Sequence, residues 1–199
     1  MKLRKSSLKV AGFVFAFLLS VQSFAAAGEP TEGIRSAINQ GVEVLNQAKV
    51  AKKDKTETIG RLKTIVYPLF DFTEMARRSL ASYWKKLDAQ QQNTFVAAFT
   101  ELLEKTYADR IDLYEGQKVA YTGETIDAQY ATVNTKVTGK NGQAFAADYK
   151  LHRIDGSWKI YDIVVEGISL VNNYRAQFSR VIARSSFEDL IKSMQQKSA

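Results

Sequence analysis

The chain of 199 residues has no cysteine. That absence excludes disulfide bonds, thiol nucleophiles and thiolate metal sites. It also excludes lipid anchoring after leader cleavage, which requires an acylated Cys. Histidine is almost absent too: His152 is the only one. With no thiol and a single imidazole, nucleophile–base–orienter triads and His/Cys zinc sites lack members. Proline is confined to Pro30 and Pro68, so few helices are interrupted. No Gly-rich phosphate loop is present, because Gly139, Gly142 and Gly156 fall where hairpin turns are expected.

One long apolar run exists, at the N-terminus. Lys2, Arg4, Lys5 and Lys9 precede the nearly all-apolar stretch Val10–Phe24, and Ala25-Ala26-Ala27 follows. This is the pattern of a secretory signal peptide covering residues 1–27, with cleavage expected near Ala25 or Ala27. The stretch is shorter than the roughly 20 residues a membrane-spanning helix needs. The absence of a twin-Arg pair points to the general secretory route. The leader holds four of the 28 basic residues and none of the 21 acidic ones, so residues 28–199 carry 24 against 21, about +3. That balance describes an ordinary solvated surface and gives no reason to expect nucleic acid as a partner. The remaining 172 residues are enough for one domain held by its core alone, with no membrane anchor.

What is present reads as helices, then strands, then helices. Ile34, Ile38, Val42 and Leu45 predict a helix over residues 31–48. Charged residues 51–55 read as a loop, and Asp54 with Glu57 reads as a cap before the stripe Ile59, Leu62 and Val66. Pro68 should end that helix and push Tyr67 toward extended geometry. Asp71 with Glu74 caps a helix whose face carries Phe72, Met75, Ala76, Leu80 and Trp84. Asp88 with Gln91 caps the next, from about 89 to 114, along Phe95, Phe99, Leu102, Leu103, Tyr107 and Ile111.

Beyond Gly116 the period becomes two. Val119 and Tyr121 mark one strand, and Ala131, Val133 and Val137 a second. Phe145, Ala147, Tyr149 and Leu151 mark a third, and Trp158 to Val165 a fourth. Asn141-Gly142 and Asp155-Gly156 are hairpin turns. On the fourth strand, strict alternation sets Trp158, Ile160 and Val164 against Tyr161, Ile163 and Val165. This strand is apolar on both sides, as for one covered twice. Leu170, Tyr174, Phe178 and Val181 give another helix, and Ser185 with Glu188 caps a last one. The fold class is α+β: a curled four-stranded antiparallel sheet packed with N-terminal and C-terminal helices. Such a sheet either encloses an apolar pocket or packs solidly against its helices; periodicity leaves both open.

Few residues offer chemistry. His152 alternates with Tyr149 and Leu151 and should face solvent beside Asp148 and Lys150. Asp162, inside an apolar strand, is either a general base with a perturbed pKa or a partner for an Arg or for backbone amides. Arg175 suits a phosphate by its planar fork, or a surface ion pair.

Two segments carry a resemblance. Tyr67-Pro68-Leu69-Phe70-Asp71-Phe72-Thr73-Glu74-Met75-Ala76, continuing to Leu80 and Trp84, is the first. Asp155-Gly156-Ser157-Trp158-Lys159-Ile160-Tyr161-Asp162-Ile163, then Glu166-Gly167-Ile168-Ser169-Leu170 and Asn173-Tyr174-Arg175-Ala176-Gln177-Phe178, is the second. Together, in this order and behind a signal peptide, they resemble the MlaC/toluene-tolerance family across essentially the whole chain after residue 27. Ala81 departs from the family pattern, where many relatives have Gly after the Leu, which bears on local helix packing.

The resemblance implies a nuclear-transport-factor-like or cystatin-like cone and a non-enzymatic, cofactor-free role in the periplasm. It implies binding of phospholipid and shuttling between an outer-membrane lipoprotein–porin complex and an inner-membrane ABC transporter, which maintains outer-membrane lipid asymmetry. The expected lining of the lipid site is Phe70, Phe72, Met75, Phe99, Leu103, Phe145, Ala147, Tyr149, Ile160, Val164, Leu170 and Tyr174, with Arg175 as a headgroup contact. Ala144, Ala146 and Ala147 are small enough to leave space. The competing readings are a cone-fold isomerase or hydratase using Asp162, and a periplasmic adapter or chaperone with an exposed apolar patch.

Overall fold

The computed structural model describes residues 28–108 and 113–198. The leader over residues 1–27, its cleavage site and Ile111 lie outside the described residues. The chain runs α1 (Glu29–Ala51), α2 (Lys55–Val66), a 3-10 turn (Tyr67–Leu69), α3 (Phe72–Leu80), a 3-10 segment (Ala81–Lys86) and α4 (Ala89–Ala108). Strands β1 (Lys118–Asp127), β2 (Tyr130–Thr138), β3 (Ala144–Ile154), β4 (Ser157–Val165) and β5 (Ile168–Ser169) follow, then α5 (Leu170–Arg184) and α6 (Phe187–Ser198).

The caps explain the helix starts. Asp54 accepts from Thr56 N and Glu57 N, and Asp71 accepts from Glu74 N at 2.8 Å. Asp88 and Gln91 form the reciprocal box before α4. Three sequence expectations shift. The cap of α6 is Ser186, which accepts from Asp189 N, not Ser185. Tyr67 keeps helical angles before Pro68 (φ −57°, ψ −41°), because the chain tightens into a 3-10 turn instead of extending. α3 stops before Trp84, because Ala81 turns to φ 52°, ψ −124°, a backbone that L residues rarely adopt.

The sheet is antiparallel in sequence order, with five strands where four were expected. The fifth is the two-residue β5, which returns onto Val164 and Val165 through a tight turn with Glu166 at φ 49° and Gly167 at φ 77°. A run this short leaves no period to read. The rest of the β4 edge is covered by the α2–α3 connection: Phe70 bridges Ile160, and Asp71 N donates to Ile160 O at 2.9 Å. β1 runs through a bulge between Tyr121 and Gly123.

Two hydrophobic clusters form. The larger joins α3, α4, α5 and α6 around Met75, Phe95, Phe99, Phe178 and Leu190. The smaller packs Ile34 of α1 on Ala131, Val133, Leu151 and Ile160 of the sheet. A third set is only half-buried: Phe70, Phe72 and Leu170 flank the first cluster, and Phe70, Tyr149 and Ile163 flank the second. No helix among the described residues is long and apolar enough to cross a membrane.

Candidate functional site

Those half-buried side chains are half-buried because a cavity of about 740 Å³ lies between the clusters. Val66 and Tyr67 at the end of α2, with Phe70, Phe72 and Met75, form one wall. Thr100, Leu103, Glu104 and Tyr107 project from α4 at helical spacing. Val137, Phe145, Ala147, Tyr149, Ile163 and Val165 supply the sheet. Glu166, Ile168, Leu170 and Asn173 close the end where β4 turns into α5. Phe70 and Phe72 stack at 5.5 Å, and Tyr67 meets Phe72 edge-on at 5.1 Å, which stiffens that wall.

The cavity opens to solvent at an apolar rim. Ile168 is 65% exposed, Tyr107 47%, Val165 42% and Phe145 41%, unusual values for such side chains gathered in one place. The lining has few polar groups. The Tyr67 hydroxyl donates to Glu104 Oε2 at 2.5 Å, and Lys63 pairs with Glu104 Oε1. Tyr149 lies deeper, and burial, then the nearby Tyr121, pushes its phenol up to about 12. The Tyr121 hydroxyl is itself buried without a partner. Among the described residues, the lining is mostly aliphatic and aromatic, with Tyr67, Tyr107, Tyr149, Glu104 and Glu166 as its titratable side chains, and this makes it a surface for apolar contact.

Eight of the twelve residues expected in the lining are there: Phe70, Phe72, Met75, Leu103, Phe145, Ala147, Tyr149 and Leu170. Four are elsewhere. Phe99 is fully buried, stacked on Phe95 and edge-on to Phe178. Tyr174 joins the same aromatic cluster at 5.1 Å from Phe99 and borders an adjoining cleft of about 300 Å³ between α4, α5 and α6, which shares Tyr107, Leu170 and Asn173 with the cavity. Ile160 shares the sheet face of the cavity but lies under α1.

Val164 is on the other face. Lys150 pairs with Asp162 and Leu151 with Ile160, so Tyr161 is an extra residue that reverses the alternation. Ile163 and Val165 are therefore the lining residues of β4, and strict alternation from Ile160 missed them. The signal for Thr100 and Tyr107 was legible three residues before and four after Leu103, and for Glu104 four after Thr100, but polar side chains on the stripe hid it.

The remaining candidates have structural partners. Arg175 does not line the cavity; its Nε donates to the Arg78 carbonyl at 2.8 Å at the end of α3. Asp162 is 5% exposed and accepts from Val171 N at 3.0 Å and from the Ser169 hydroxyl at 2.6 Å, which anchors the first turn of α5 to β4. His152 is not free in solvent: its Nε2 lies 3.0 Å from Asp71 Oδ2, between the rings of Tyr130 and Tyr161.

Comparisons with known proteins agree on one family. The family model described as MlaC protein matches residues 35–196. The intermembrane phospholipid transport system binding protein MlaC of Haemophilus influenzae is 26% identical over 159 residues, covering 77% of this chain and 74% of that protein. Toluene tolerance protein ttg2D of Pseudomonas putida is 28% identical over 126 residues, 62% of this chain and 59% of the relative. A phospholipid-binding protein from Ralstonia solanacearum, solved in complex with a phospholipid, superposes with a TM-score of 0.76 at 22% identity. That match covers 86% of this chain and 97% of that one. At that identity the likeness establishes a shared α+β fold.

Proposed function

The chain belongs to the MlaC protein family, and from that premise we propose that it is a periplasmic phospholipid carrier that holds acyl chains in the cavity between its helices and its sheet. The observation that carries this reading is the cavity itself: about 740 Å³, walled almost entirely by aliphatic and aromatic side chains, with an apolar mouth. At about 30 Å³ for a water-sized group, it has room for roughly 25 such groups, more than one long acyl chain. Each methylene left in water costs about 0.8 kcal/mol, so a chain of some 15 methylenes faces about 12 kcal/mol outside a bilayer. A dry wall offsets most of that and performs no chemistry. The open rim leaves a route for release.

The names of the relatives support the same role. In this proposal residues 1–27 direct export, and the mature protein exchanges lipid with an inner-membrane ABC transporter and an outer-membrane lipoprotein–porin complex. That exchange maintains the asymmetry of the outer membrane. The cone-like description of the sheet belongs to this reading.

The test is native mass spectrometry of the exported protein, followed by organic extraction. Phospholipid should come with the wild-type protein. Ala147→Trp, which places an indole in the cavity from the middle of β3, should fold and carry much less. Wild-type protein that is folded and free of lipid, or full loading of the folded variant, would refute the carrier reading.

A further inference from the structure

The cavity is too small for both chains of a diacyl lipid. At about 30 Å³ per methylene-sized group, its 740 Å³ holds roughly 25 groups, whereas two chains of about 15 methylenes bring about 30. A second space lies beside it. The cleft between α4, α5 and α6 has about 300 Å³, room for about ten groups more. Tyr107, Leu170 and Asn173 border both spaces, and Tyr107 and Asn173 are exposed, so the divide between the two stands at the surface, beside the mouth. The floor of the cleft is apolar, made by Leu102, Phe178, Leu190 and Met194. Its polar side chains are engaged close by. The Thr106 hydroxyl donates to Leu102 O at 2.7 Å, the Ser193 hydroxyl to Leu190 O at 2.8 Å, and Gln177 Nε2 to Asn173 Oδ1 at 3.3 Å. None of the described residues that line it is charged. An alkyl chain laid there strips no ion of water and takes no partner from those hydroxyls.

We propose that the cleft between α4, α5 and α6 is a second acyl-chain site, so that a diacyl phospholipid straddles the divide with one chain in the cavity and the far part of the other in the cleft. The first methylenes of that second chain cross the divide over Tyr107 and Leu170, and the headgroup lies above it in water. Cavity and cleft together hold about 35 groups, enough for both chains, where the cavity alone leaves about five methylenes in solvent. Two spaces that meet at the surface suit a forked ligand, and a single-chain lipid needs only one of them. The inference rests on the carrier reading and adds the place of the second chain to it.

The experiment offers delipidated mature protein equal amounts of a diacyl phosphatidylethanolamine and its single-chain lyso form, and counts bound lipids by native mass spectrometry. Ser193→Trp fills the cleft from α6. It should lower the diacyl-to-lyso ratio by about tenfold or more relative to the wild type, since re-exposing two methylenes is already worth about tenfold. Gln177→Trp fills the cleft from α5 and should act in the same direction. Diacyl phosphatidylethanolamine carrying a diazirine at the end of its sn-1 or its sn-2 chain gives a readout on the wild type that needs no variant to fold. After irradiation and digestion, one of the two probes should label α6. An unchanged ratio in a folded, loaded tryptophan variant, a folded variant that takes up neither lipid, or labelling by both probes confined to the cavity wall overturns the inference and leaves the carrier reading standing. Failure of the wild type to load either lipid overturns both.

Discussion

Asp162→Asn separates a carrier from an enzyme, because the two readings give this side chain different work. Its carboxylate is buried on β4 and holds the first turn of α5 through Val171 N at 3.0 Å and the Ser169 hydroxyl at 2.6 Å; Ser169 Oγ in turn accepts from Asn172 N at 3.0 Å. The arrangement is a two-residue relay of acceptors at a helix N-terminus, where negative charge is favoured. Asparagine keeps one carbonyl for Val171 N but presents an NH₂ to Ser169, whose proton then loses its acceptor. Loss of the charge-assisted bond and of the favourable dipole contact should cost about 1.5–3 kcal/mol. At about 2–4 °C per kcal/mol for a chain of this size, Tm should fall by roughly 3–12 °C. Thermal melts followed by circular dichroism, with lipid extraction from the folded fraction, read both quantities. Lipid content per folded molecule should not change, since Asp162 lies outside the cavity lining. An unaltered Tm would refute the capping argument. An unaltered Tm with loss of a measurable turnover would also restore Asp162 as a general base.

Other consequences are smaller. Ala81→Gly should stabilise the protein by about 0.5–2 kcal/mol, since relief of about 1–3 kcal/mol of backbone strain at φ 52° exceeds the added flexibility of glycine; a lower urea midpoint would contradict it. Tyr149 has its phenol raised to about 12, so its contribution is fully present below pH 10 and is lost as pH rises toward and through 12. Tyr149→Phe should therefore flatten the alkaline limb of stability by up to about 2–3 kcal/mol, as read by urea melts between pH 9 and 12; an unchanged limb would place the alkaline loss elsewhere. Glu124→Ala removes the acceptor of Thr31 N (2.8 Å) and the Thr31 hydroxyl (2.6 Å) at the start of α1, where Gly28 has no side chain to cap. Amide exchange should accelerate over residues 29–34, with about 0.5–2 kcal/mol lost; unchanged exchange there would show that the cap is dispensable.

Local chemistry alone determined much of this protein. Apolar steps of three and four residues, the caps at Asp54, Asp71 and Asp88, and the hairpin turns at Asn141-Gly142 and Asp155-Gly156 depend on neighbours in sequence, and they placed the helices and the antiparallel order of the strands. Phe145, Ala147 and Tyr149 were legible as one face because β3 keeps its period against both neighbours through the cavity.

Tertiary structure decided the rest. Whether the apolar faces met or stood apart is a question of distances between elements, and only the packed chain shows the α2–α3 connection touching the sheet at Ile160 while a void opens between it, α4 and the sheet, leaving Phe70, Phe72 and Ile163 half-covered. The bulge at Tyr161 exchanged Val164 for Ile163 and Val165, because one inserted residue reverses every side chain after it. Phe99 and Leu103 lie on one helical stripe and in one helical cluster, yet only Leu103 also reaches the cavity, since four residues carry the stripe a full turn along α4 to where the void begins.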